Sequence, residues 1–180
     1  MRQEPHPPEL CIRPARPSDF DVVDSLFSRA YPALLRADYD TKTLQDILPI
    51  ISRANPRLLA TGTYYLAFLG DDLVGAGGWS WIGPHGAVGP RHMAHSRHVV
   101  THHDHQRSGI GRQLLSHCIN EAGRQGARIL NCQSTLTGEQ LYAALGFRRV
   151  ADIDVFLCPG VSFPAVHMQL PLAGEMKKAG

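Results

Sequence analysis

At 180 residues, 43% hydrophobic and 19% charged, the chain carries enough apolar material for one globular domain with a substantial core, so residues 1–180 are read as a single domain. A formal net charge of +2 without any basic run gives no electrostatic reason to expect nucleic acid or a membrane surface as partner. No apolar run approaches transmembrane length, which removes the class of membrane-spanning helices from consideration.

Met1 to Leu10 carries prolines and charge instead of a basic segment followed by an apolar one, so it is not expected to be a signal peptide, and residues 1–10 are expected to be flexible. Cys11-Ile12-Arg13 predicts a short first strand. Ser18 and Asp21 have the spacing that opens a helix, Val22, Val23, Leu26, Phe27 and Ala30 form its apolar stripe, and Pro32 is expected to end it. A second helical stretch runs from Thr41 to about Arg53, with Pro49 implying a kink or a break into two pieces.

From Thr63 to Leu69 and from Leu73 to Ile82 the residues turn β-branched, aromatic and small, which predicts a hairpin through Gly70-Asp71-Asp72. Gly75, Gly77 and Gly78 weaken its second strand or mark a bulge. Trp79 and Trp81, two apart on a strand, would project from one face. They could wall a pocket, stack on a cation, fill the core or meet a second subunit in a homodimer. Gly83 to His95 reads as a surface loop, and Arg97 to Thr101 as the next strand.

The most informative segment follows: Gln106-Arg107-Ser108-Gly109-Ile110-Gly111-Arg112, wedged between that strand and a helix running to Gln125. Paired glycines let backbone approach a ligand closely, and a new helix offers unpaired N–H groups and a positive dipole end, which suit a diphosphate. A dinucleotide fingerprint would want glycine or alanine where Leu114 stands, and no G-K-[ST] triplet of a P-loop occurs.

Downstream, Arg128 to Gln133 reads as a strand. Thr137-Gly138-Glu139-Gln140-Leu141-Tyr142-Ala143-Ala144-Leu145-Gly146-Phe147 reads as a short helix, with Thr137 and Gln140 at capping-box spacing and Gly146 at the stop. Val150 to Cys158 and Val161 to Leu170 form a last hairpin through Pro159-Gly160, and residues 173–180 are expected to fray. Cys11, Cys118, Cys132 and Cys158 lack C-x-x-C spacing and fall in strands or helices, which predicts buried reduced thiols in a cytoplasmic protein.

The Q-x-x-G-x-G loop between strand and helix, followed in order by a strand and a helix ending in Y-x-x-x-G-F, resembles the GNAT superfamily of acyl-CoA-dependent N-acyltransferases. The resemblance covers nearly the whole chain. It implies an α/β fold with a mixed, mostly antiparallel sheet, flanked by helices and splayed between its fourth and fifth strands. It further implies acetyl-CoA as acyl donor and a small-molecule or peptide amine as acceptor, with no metal required. In the family the pantetheine arm pairs with fourth-strand backbone, here Val99, Val100 and Thr101, while the diphosphate falls on the amides around Gln106, Arg107, Ser108, Gly109, Ile110, Gly111 and Arg112. Arg107 and Arg112 could add charge-assisted contacts or remain solvated surface residues.

Tyr142 matches the tyrosine that protonates the departing sulfur, a role suited to a phenol with a reference pKa of about 10; packing against the sheet is the alternative. His95 occupies the place where some members carry a glutamate base, and a loop-border surface residue is the alternative. Thr135 stands where many relatives have a coenzyme-contacting asparagine, with Ser134 and Thr137 as possible substitutes. Thr101 and His103 replace the commoner valine and proline. Arg36, Asp38 and Tyr39 fall where the family binds acceptors.

Two further readings compete. The departures at Thr101, His103 and Thr135 suit a non-catalytic acyl-CoA sensor. The cluster His98, His102, His103, Asp104 and His105 suits a transition-metal site, as in a zinc hydrolase.

Overall fold

The computed structural model describes residues 9–86 and 88–172; the expectations for the remaining terminal residues lie outside these limits. Seven strands form one sheet, β1 (Leu10–Pro14), β2 (Tyr64–Leu69), β3 (Asp72–Ser80), β4 (Met93–Thr101), β5 (Ile129–Thr135), β6 (Arg148–Cys158) and β7 (Val161–Pro171), in the spatial order β1-β2-β3-β4-β5-β7-β6. Every neighbouring pair is antiparallel except β4 with β5. Those two share only Met93 to His95 against Ile129 to Asn131, then part. The expected mixed sheet, splayed between its fourth and fifth strands, is therefore the one observed.

Helices cover both faces: α1 (Phe20–Leu35), α2 (Thr41–Ile51) and the short α3 (Pro56–Leu59) on one, α4 (Ile110–Arg124) and α5 (Glu139–Ala144) on the other. Burial divides accordingly into two apolar layers. One is built on Phe27, Leu35, Ile47 and Leu66, the other on Trp79, Leu114, Leu115 and Leu130. Among the described residues no helix is long and apolar enough to cross a membrane.

Several local expectations are corrected by packing. Pro32 lies inside α1, because the buried Tyr31 and Leu35 carry the apolar stripe past it, and Pro49 lies inside an unbroken α2. Ser18 does not cap α1; a short turn at Pro17–Asp19 precedes it, and the Asp19 carboxylate pairs with Arg13 at 2.8 Å. Strand β4 begins at Met93, so His95 belongs to the sheet and not to the border of a loop. Cys118 and Cys132 are buried as expected, but Cys11 on the edge strand β1 and Cys158 at the β6–β7 turn are exposed.

The glycines of β3 accommodate a bulge. The register slips between Ala76 and Gly78 opposite β4, and a Cβ on Gly77 would crowd Val99 at 3.0 Å. The bulged β4 residue His98 has φ +41°. Arg97 pairs in regular register with Gly78, two residues from Ala76 of the α1 layer, and His98 stacks on Phe27, so both turn toward α1.

Tyr39 links the far ends of the fold. Its hydroxyl donates to the Pro164 carbonyl at 2.9 Å and accepts from the Leu136 amide at 2.8 Å. Tyr39→Phe removes two part-buried hydrogen bonds to the backbone and is expected to cost about 0.5–1.5 kcal/mol, read as a lower urea midpoint with an unchanged slope.

Candidate functional site

The parting of β4 and β5 opens a cleft through the sheet, with a volume of about 310 Å³. Its walls come from β4 (Ser96 to Val99), β5 (Cys132 to Thr135), α5 (Tyr142) and α1 (Tyr31). Beyond His95 the β5-facing backbone of β4 has no strand partner, so Val99, Val100 and Thr101 lie along an open edge. Such an edge can pair with an amide-containing ligand.

Where β4 ends, the chain passes through a tight turn at His103–His105 and enters α4 by way of Gly109. Gly109 is left-handed, with φ +83°, and Arg107 is also at positive φ, +60°. A Cβ on Gly109 would meet nothing within 4 Å, so that side of the turn is open. Gly111 differs: a Cβ there would press on Thr101 and Leu141, both at 3.3 Å, so this glycine serves the close packing of α4 on β4 and α5. No side chain caps α4, and its first intrahelical bond runs from Gln113 to the Gly109 carbonyl. The amides of Gly109 to Arg112 are thus free to meet an anion. Gln106, Arg107, Ser108 and Arg112 are exposed around them, and Ile110 is buried beneath.

Tyr142 is buried, packed edge-on against Phe147 with ring centroids 5.0 Å apart, and its hydroxyl shares a 2.9 Å hydrogen bond with Ser96 of β4. Burial pushes its pKa well above the ordinary value of 10.0, so the phenol holds its proton at neutral pH. Cys132 lines the same cleft, and burial pushes its thiol up to about 12; it is no thiolate nucleophile at pH 7.

His95 faces the α1 side at the closed end of the split, one residue before Ser96. Burial, then the charges of Arg97 and His167, hold it below 6.5, and its Nε2 is buried without a partner among the described residues. It is not among the residues that line the cleft. Thr135 ends β5 and accepts the Gly138 amide at 3.1 Å, while Ser134 donates to the Thr135 carbonyl at 2.8 Å. The expected capping box is absent: α5 starts at Glu139, and Thr137 donates to Asp38 at 2.6 Å. At the other end Gly146 adopts φ +92° and stops the helix as expected.

The histidine cluster divides. His98 leaves it for the core, stacked on Phe27 at 5.8 Å and 3.2 Å from the Tyr31 hydroxyl, with burial pushing its pKa down to about 4. His102, His103 and Asp104 each bring one ligand atom within 4.8 Å of the others, but His102 Nδ1 already accepts the Asp104 amide at 3.2 Å.

Acceptor-side expectations fare unevenly. Trp79 is fully buried under α4, and Trp81, outside the strand, packs edge-on against it with ring centroids 5.4 Å apart. Neither lines the cleft, and Asp38 and Tyr39 are occupied in tying loops together. Arg97, Tyr31 and Phe163 do line it, and the sequence reading did not single them out. For Arg97 the only available signal was the glycine run in β3, which marks the bulge but not the residue opposite.

Residues 60–149 match the family model described as the acetyltransferase (GNAT) domain. No curated protein matches the sequence. Among solved structures, a GCN5-related N-acetyltransferase from Rhodopseudomonas palustris is 18% identical with a TM-score of 0.70, covering 96% of this chain and 100% of that one. YncA of Salmonella typhimurium, solved with acetyl-CoA, is 23% identical with a TM-score of 0.62 over 92% and 95% of the two chains. PaiA N-acetyltransferase of Thermoplasma acidophilum, in complex with coenzyme A, is 13% identical with a TM-score of 0.69 over 91% and 99%.

Proposed function

Because the chain belongs to the acetyltransferase (GNAT) family, we propose that it transfers an acetyl or other short acyl group from acyl-coenzyme A directly to a primary amine of a small molecule or peptide. One observation carries this reading: uncapped α4 amides at Gly109 to Arg112 and a buried, protonated Tyr142 lie at two points along the same open strand edge. The amides bind the diphosphate, with Arg107 and Arg112 adding charge. Val99, Val100 and Thr101 pair with pantetheine, and the thioester ends beside Tyr142.

The amine nitrogen attacks the thioester carbonyl, the C–N bond forms, and the C–S bond breaks as the phenol gives its proton to the departing sulfur. His95, neutral at pH 7, takes the proton lost by the amine through a water, and solvent resets both groups. Cys132 is too weakly acidic to act as an acyl carrier, which favours direct transfer over a covalent acyl-enzyme. Thr135 accepts the Gly138 amide with one lone pair and keeps its O–H donor for the coenzyme in the cleft.

The test is a screen of primary amines with acetyl-CoA, following release of free thiol. Turnover with at least one acceptor class is the expected result. Coenzyme A binding without turnover of any amine would replace this reading with the acyl-CoA sensor.

A further inference from the structure

Arg97 is the only charged side chain that lines the cleft among the described residues, and no Asp or Glu accompanies it. It is half-buried and makes no ion pair with a described residue. Its Nη1 donates to the Ser80 hydroxyl at 3.0 Å and the Ile82 carbonyl at 3.2 Å, which fix the guanidinium plane. Nε and Nη2 have no partner among the described residues, so one edge of the fork remains available.

The neighbouring titratable groups do not neutralise it. His95 and His98 are both held uncharged at pH 7 by burial, with the Arg97 charge adding to that effect, and the Tyr31 and Tyr64 phenols are raised by burial and stay neutral. A guanidinium taken partly out of water without a carboxylate is costly, and the cost is recovered when a ligand supplies the anion. The free Nε and Nη2 edge matches the two oxygens of a carboxylate.

The same cleft offers an apolar surface. Ile51 of α2, Val155 and Leu157 of β6 and Phe163 of β7 all belong to the layer on the α1 face. Arg97 pairs with Gly78, two residues along β3 from Ala76 of that layer, which puts it on the same face, while Ser96 and Tyr142 occupy the other. A polyamine or aminoglycoside would meet a like charge here and no carboxylate.

We infer that the acceptor is a primary amine that also bears a carboxylate and an apolar body, such as an apolar amino acid, with Arg97 holding the carboxylate. The inference rests on the proposed acyl transfer and adds the substrate class. Binding by Arg97 leaves the amine to approach the thioester through the split, with the apolar body against Phe163 and its neighbours.

The experiment compares matched sets: leucine, phenylalanine and tryptophan, their amides, and the corresponding decarboxylated amines, each assayed with acetyl-CoA by thiol release. The carboxylates are expected to exceed their amides and amines in kcat/KM by at least tenfold, mainly through KM. In Arg97→Gln that ratio is expected to collapse toward one, in Arg97→Lys to survive in part, and coenzyme A affinity in both to stay near the parent's, which certifies the fold. Equal or better use of the amides and amines by the parent would overturn the inference while leaving the transferase reading intact. No thiol release with any member of the sets or of the wider amine screen would overturn both.

Discussion

Gly109→Asp is expected to weaken coenzyme A binding by at least 100-fold, measured by calorimetric titration. The substitution tests the anion site without disturbing the packing, because a Cβ at position 109 meets nothing within 4 Å. A carboxylate about 5 Å from a diphosphate charge costs about 3 kcal/mol at an effective dielectric of about 20, which is roughly a 100-fold change in Kd. The left-handed backbone at φ +83° is tolerated by Asp and Asn better than by other residues. Gly109→Asn therefore serves as the uncharged control, expected to lose far less affinity at a similar melting temperature. Equal losses in the two variants would show that shape, not charge, governs the turn.

Tyr142→Phe is expected to lower kcat by roughly 10²–10⁴, the range of a lost general acid, while coenzyme A affinity changes little. The ring keeps its edge-on contact with Phe147 and its burial, so the change is confined to the hydroxyl and the Ser96 hydrogen bond. A donor thioester whose thiol is more acidic should recover part of the lost rate, because its sulfur departs without help. An unchanged kcat would remove Tyr142 from the chemistry and leave it as a packing residue.

The sequence was most legible where a local rule and the global fold agree. The loop from Gln106 to Arg112, the helix stop at Gly146 and the hairpin turn at Gly70 all depend on backbone conformations that glycine permits, and their positions could be read directly. Element order was readable for the same reason: turn residues separate the apolar segments.

What escaped was set by tertiary contacts. Nothing within α1 reveals that the helix survives Pro32, since the compensation comes from Tyr31 and Leu35 packing on the sheet. Nor does Thr137 announce that its hydroxyl bonds Asp38 on a distant loop instead of capping its own helix. Strict alternation along β4 would place Arg97 and His98 on opposite faces. The bulge instead sets His98 on the same face as Arg97, against Phe27 and Tyr31, and both line the cleft. The proposed acceptor side was therefore hidden, although the proposed donor side could be read from two motifs.

The most direct measurement is a crystal structure of the chain with acetyl-CoA. Diphosphate oxygens are expected about 2.7–3.2 Å from amide nitrogens between Gly109 and Arg112, with the thioester sulfur within hydrogen-bonding reach of the Tyr142 hydroxyl. Acetyl-CoA bound away from the parted strands, or a diphosphate that ignores the start of α4, would contradict that placement.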